Sequence, residues 1–170
     1  YAAMALTNLS SEISNQVLIS KHGGLPYLIE LAALQDSEAS RFAGMALANL
    51  AAHRQNRVPI VNLDGIRALC SMAYAKSIET KRAAALALYN LSCAAANHIP
   101  LAKSDAVVAL AHLGGVSDLE CKRFSIMTLA NLSANVETRS YATRSGGLQT
   151  CVALIKDDDL ECRRYACIAM

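Results

Sequence analysis

Four asparagines, Asn8, Asn49, Asn90 and Asn131, stand 41 residues apart. A primary amide both donates and accepts hydrogen bonds, so a row of them could hold the peptide groups of an extended chain without reading its side chains. Four residues before each asparagine is an apolar residue: Met4, Met45, Leu86 and Met127, with Ile168 one period further on. Four residues earlier again stand Arg41, Arg82, Arg123 and Arg164. Methionine suits a surface that adapts to varied partners, and arginine heads suit acidic ones. The chemistry these slots offer is non-covalent grip on another protein.

Residues suited to bond-making chemistry do not share this order. His22, His53, His98 and His112 fall in different slots of the period, and no H-x-x-x-H or H-E-x-x-H pairing exists. Neither zinc-spaced cysteine pairs nor a G-x-S-x-G, P-loop or dinucleotide fingerprint is present. The expectation is a non-enzyme with no catalytic residue, no metal, no cofactor and no small-molecule substrate. The six cysteines, Cys70, Cys93, Cys121, Cys151, Cys162 and Cys167, are expected to be small buried hydrophobes. That reading implies a reducing, cytoplasmic setting. Asp157-Asp158-Asp159 is read as a helix cap and not as a cation site.

Composition narrows the partners. The chain has 170 residues and a net charge of +2, too weak a field to make nucleic acid the main partner. It is 54% hydrophobic but only 5% aromatic, so Ala and Leu must do the packing. No apolar run approaches the ~20 residues of a membrane span.

The elements that position these slots follow from the same period. Ala5-Leu6-Thr7-Asn8-Leu9-Ser10 recurs as Ala46-Leu47-Ala48-Asn49-Leu50-Ala51, then as Ala87-Leu88-Tyr89-Asn90-Leu91-Ser92 and Thr128-Leu129-Ala130-Asn131-Leu132-Ser133. A fixed period of this size marks a stacked repeat. Within one unit a short helix over 15–21 ends at His22-Gly23-Gly24. A second helix covers 25–34, with Pro26 in its first turn. After the polar break Gln35-Asp36-Ser37, Ser37 or Asp36 caps a long third helix reaching about residue 51. Glu38, Glu79, Glu120 and Glu161 mark its start in every unit. The glycine slot reads Gly24, Gly65, Ala106, Gly147, so irregularity is expected in the third unit, whose second helix also ends in Gly114-Gly115.

At ~100° per residue, Ala43, Leu50 and Ala39 lie near Leu47 on the buried face of the third helix. Arg41, Met45 and Asn49 lie opposite, spaced i, i+4, i+8. An apolar residue recurring in the middle of such a stripe marks a contact surface. Alternatives stay open at this level. The amides could tie their own helix to a neighbouring repeat. The arginines could pair with Glu38 and its copies at i, i+3, and the apolar slot could be core between stacked helices.

The A-L-x-N-L core of the third helix, the Gly-Gly before the second and the three-helix unit resemble armadillo repeats across the whole chain. The resemblance implies an all-α, right-handed α-solenoid. Its third helices would line a concave groove that binds an extended segment of a partner protein. Adaptors that carry nuclear-import signals resemble this family too, but they place Trp one turn before the Asn. Here Met, Leu or Ile fills that slot, which favours a catenin-like, vacuolar or ciliary scaffold type. One array is expected over 1–170, with 1–11 ending a preceding repeat. Complete repeats then cover 12–52, 53–93 and 94–134, and a truncated one covers 135–170. Tyr1 aligns with Phe42, inside a third helix, so a longer parent array is expected. The competing expectations are a structural spacer array in a larger assembly, or the substrate-binding region of a larger enzyme such as a ubiquitin ligase.

Overall fold

The computed structural model describes residues 1–34 and 37–170. Asp36, one of the two expected caps, lies with Gln35 outside the described residues. The chain opens with α1 (Ala2–Ser10). A first unit follows, α2 (Ile13–Lys21), α3 (Gly24–Ala32) and α4 (Glu38–Ala52), then a second, α5 (Arg54–Asn62), α6 (Gly65–Met72) and α7 (Ile78–Ser92). The third unit has a 3-10 turn at Ala95–Asn97, α8 (His98–Lys103), α9 (Ala106–Gly114) and α10 (Leu119–Ala134). The last has α11 (Val136–Arg144), α12 (Gly147–Leu154) and α13 (Leu160–Ala169). No strand occurs among the described residues.

The third helices α4, α7, α10 and α13 each start at a side-chain cap. Ser37, Ser77, Asp118 and Asp159 accept the backbone N–H of Ser40, Thr80, Cys121 and Cys162, which satisfies donors the first helical turn cannot. Gly23 and Gly146 precede second helices with φ of 76° and 94°, the left-handed backbone that glycine adopts without strain. Asp64 holds the same slot at φ 64°. One residue later a Cβ on Gly65 would stand 2.6 Å from the Ile60 carbonyl oxygen, and one on Gly147 2.5 Å from that of Ala142. Ala106 carries such a Cβ, so the third unit takes another path. Its Asp105 stays at φ −72°, Ser104 is extended, and α8 shrinks to 6 residues. The expected irregularity therefore falls at the entry to α9.

The third helices α1, α4, α7, α10 and α13 stack side by side, and α3, α6, α9 and α12 form a second row against them. This is an all-α solenoid. Leu28, Leu47, Leu50, Leu69, Leu88, Leu91, Leu110 and Leu113 are fully buried between the rows, each stabilising by roughly 1.5–3 kcal/mol. Ala46 and Ala48 are buried too, on both flanks of Leu47, because each third helix has a neighbour on either side. Small residues there set the close approach. A Cβ on Gly44 would stand 3.6 Å from Ala83 Cβ on the next third helix, and would also displace the Met72 side chain of α6.

The cysteines divide. Cys70, Cys121, Cys151 and Cys162 are buried, but Cys93 and Cys167 are exposed, against the expectation for all six. Cys93 caps the end of α7 in a slot that is also exposed at Ala52 and Ala134. Cys167 shares its slot with Gly44, Ala85 and Ile126, which are buried between third helices.

Candidate functional site along the third helices

The periodic amides lie between adjacent third helices. Asn49 Nδ2 donates to Ser10 Oγ at 3.0 Å, Asn90 Nδ2 to the Ala48 carbonyl at 3.0 Å, and Asn131 Nδ2 to Ser92 Oγ at 2.9 Å. All three acceptors belong to the preceding third helix. Asn8 is exposed on α1. Among the described residues, Oδ1 of Asn49, Asn90 and Asn131 accepts no hydrogen bond, and none of these oxygens is buried without a partner. The donor end of each amide thus joins repeats, and the acceptor end is open to water. Both readings left open by the sequence concern the same side chain.

The apolar slot varies along the row. Met45 is 37% exposed and Met127 half-buried. Leu86 packs partly against the core. A wheel drawn for one helix predicts a broad exposed stripe, but neighbours on both flanks narrow it to this slot and the edges of Arg and Asn.

The arginines divide in a way that a single helix could not reveal. Arg41 pairs with Glu38 at 3.7 Å and Arg164 with Glu161 at 3.8 Å, both at i, i+3. Arg82 and Arg123 instead reach the next repeat. Arg82 Nη2 lies 2.6 Å from Asp118 Oδ2, with Glu120 at 3.3 Å from Nε. Arg123 Nε donates to both carboxylate oxygens of Asp159, at 3.2 and 3.1 Å. The i, i+3 expectation fails at these two because the capping carboxylate of the next third helix is better placed. Lys122 Nζ adds a bond of 2.7 Å to Asp157, so this acidic run serves as cap and inter-repeat tie.

These ties depend on pH. The hydrogen bond from Arg82 holds the Asp118 carboxyl down from 3.8 to about 2. Arg123 and Lys122 likewise hold Asp159 and Asp157 below the usual carboxylate range. A carboxylate whose folded pKa is depressed stabilises fully above its unfolded value, and that stabilisation is lost as pH falls through the folded value. The melting temperature is therefore expected to drop between about pH 4 and pH 2. The double substitution Asp118→Asn, Asp159→Asn should flatten that drop in a thermal melt series. An unchanged slope would mean that these pairs contribute nothing.

A second periodic set escaped the sequence reading. Asn15, Asn56, Asn97 and Thr138 donate to the carbonyls of Leu9, Leu50, Leu91 and Leu132 near the ends of the third helices. The next residues, Gln16, Arg57, His98 and Arg139, bond the carbonyls of Ser10, Ala51, Ser92 and Ser133. Asn56 and Asn97 also reach back to the carbonyls of Gln16 and Arg57, at 2.9 and 3.1 Å. Adjacent polar residues thus close carbonyls that helix ends leave unpaired and join neighbouring repeats. The same 41-residue spacing marks them in the sequence, but their changing residue types conceal it.

Little else gathers reactive groups. Burial pushes the thiols of Cys70, Cys121 and Cys162 up to about 12, which leaves them protonated and unreactive near neutral pH. Among the described residues, no three His, Cys, Asp or Glu side chains cluster as metal ligands would. No described helix is long and apolar enough to cross a membrane. A cleft of about 730 Å³ lies away from the row, lined by Arg67, Cys70, Tyr74, Lys103, Asp105 and Val108 among others.

Residues 53–93 match the armadillo/beta-catenin-like repeat, a span that coincides with one unit of the period. No curated protein matches the chain. Among solved structures, a crystal structure of an engineered protein is 27% identical at TM-score 0.89, over 99% of this chain and 70% of that one. A second engineered protein is 26% identical at TM-score 0.90, over 99% of this chain and 42% of that one. A designed armadillo repeat protein in complex with the peptide (KR)4 shares the fold at 21% identity and TM-score 0.88, over 99% of this chain and 72% of that one. One unit of the period thus matches the armadillo repeat, its neighbours carry the same grammar, and the whole chain shares the fold of a designed armadillo repeat protein.

Proposed function

We propose that the chain is a non-catalytic protein-interaction scaffold that holds an extended partner segment along the third helices. One observation carries the reading. Met45, Leu86 and Met127 recur on the outer side of the row, and each lies one turn from an Asn Oδ1 that no group among the described residues uses. Acceptors spaced along an apolar strip suit a partner that presents backbone N–H groups and intermittent apolar side chains. Packed helices sit about 8–10 Å apart, so each repeat would span two to three residues of an extended chain at ~3.3 Å per residue. A designed armadillo repeat protein of the same fold is in complex with a peptide, which supports the mode of binding, though not the ligand.

In this reading Asn8, Asn49, Asn90 and Asn131 hold the main chain, the apolar slot supplies affinity and the arginines give selectivity. Arg82 and Arg123 are already engaged by Asp118 and Asp159, which leaves them less to offer an acidic partner than Arg41.

The test uses a displayed library of linear peptides against the folded chain. Wild type should enrich binders, and the double substitution Met45→Glu, Met127→Glu should weaken them at least tenfold, about 1.4 kcal/mol, with helicity and melting retained. Failure to enrich, or binders indifferent to both substitutions, would sink the proposal. Either outcome would favour a spacer array, a role that the inter-repeat amide bonds also suit.

A further inference from the structure

We propose that Ser77 is a phosphorylation site whose phosphate is bound by Arg41. The repeat itself supplies the argument. Ser77, Asp118 and Asp159 are equivalent N-caps, 41 residues apart, and each accepts the N–H of the residue three positions on. The backbones of Ser77 and Asp159 agree, at φ −70°, ψ 129° and φ −77°, ψ 126°, so their side chains leave the chain in the same direction; Asp118 shares the ψ of 126° at φ −124°. Arg41, Arg82 and Arg123 stand 36 residues before them. At the second and third of these junctions the arginine is bonded to the cap carboxylate. At the first junction the cap is a neutral serine, and among the described residues the ion pair of Arg41 is a long one with Glu38, a residue 87% exposed.

The surroundings suit an added anion. The guanidinium of Arg41 rests 4.3 Å over the Phe42 ring, and Glu79, two residues past Ser77, lies within its field. Ser77 is half-buried on the short connection between α6 and α7, beside exposed Tyr74. Its hydroxyl now donates to Glu79 Oε2 at 2.6 Å. A phosphoryl group reaches further than a carboxylate, carries about −1.5 to −2 charges at pH 7 and favours a helix N-terminus. Glu120 and Glu161 show that a glutamate two residues past a charged cap is accommodated, each staying partly exposed.

The transfer requires a kinase and a nucleoside triphosphate. Ser77 Oγ attacks the terminal phosphorus, and an Oγ–P bond forms as the bond to the leaving nucleoside diphosphate breaks. The hydroxyl proton passes to the kinase's base. The phosphate then gives the first junction the inter-repeat tie that the next two already have. It also takes Arg41 out of reach of a partner on the outer row.

The test compares thermal melts of the unmodified chain with a chain carrying phosphoserine at 77 installed during synthesis, each with and without Arg41→Ala. The phosphorylated chain should melt about 2–4 °C higher. The rise should disappear with Arg41→Ala and shrink at high salt. Ser77→Asp should give a smaller rise of the same sign. No rise, or a rise that survives Arg41→Ala, would overturn the proposal. The folded chain is also incubated with ATP and a panel of purified serine/threonine kinases. Mass spectrometry should locate phosphate at Ser77 and lose it in Ser77→Ala; no phosphate at Ser77 with any kinase would overturn the assignment.

Discussion

Replacing Asn56 or Asn97 by Ala should lower the melting temperature more than any single substitution on the outer side of the third helices. Each side chain is 1% exposed and donates to two carbonyls of the preceding unit, one near the end of its third helix and one in its first helix. Two lost bonds at ~0.5–1.5 kcal/mol each, with buried carbonyls left unpaired, give a loss of roughly 2–3 kcal/mol. For a chain of this size that is a fall of about 5–10 °C. Asn56→Thr provides the internal control. Thr138 fills the same slot and bonds the Leu132 carbonyl, so threonine should recover about half of the loss by keeping one of two bonds. A melt of Asn56→Ala within about 0.5 kcal/mol of wild type would show that these amides are not structural.

The second large effect concerns the outer amides. The triple substitution Asn49→Ala, Asn90→Ala, Asn131→Ala removes three donors that join consecutive third helices. At ~1 kcal/mol each, and nearly additive if the rungs do not couple, the triple variant should lose roughly 3 kcal/mol by urea melt. It should also lose peptide binding, but that loss alone would not distinguish a broken contact from a loosened row. Met45→Glu, Met127→Glu makes the distinction because those side chains take no part in the hydrogen bonds that join the repeats. A triple variant as stable as wild type would mean that the amides are held for a partner and not for the fold.

The period of 41 residues, the three-helix unit and the polarity of the third helix were legible because they rest on local physics. Helix propensity, caps and a 3.6-residue repeat act within one element, and the chain repeats each of them. Ser37 and Asp159 cap where their residue types suggest, and Leu47 is buried where the wheel places it. Even the departure at Ala106 could be anticipated, since a Cβ cannot occupy the close approach that Gly65 and Gly147 permit.

Tertiary structure alone decided where each polar group found its partner. Arg82 could have taken Glu79, three residues before it, but took Asp118, and Asn90 donates to Ala48 in the previous repeat. Cys93 is exposed although its composition suggests burial. These choices depend on what the adjacent helix presents at hydrogen-bond distance, which no wheel of a single helix contains. Repetition in the sequence determined that equivalent residues recur, and stacking decided which end of each side chain the fold would use and which it would leave open.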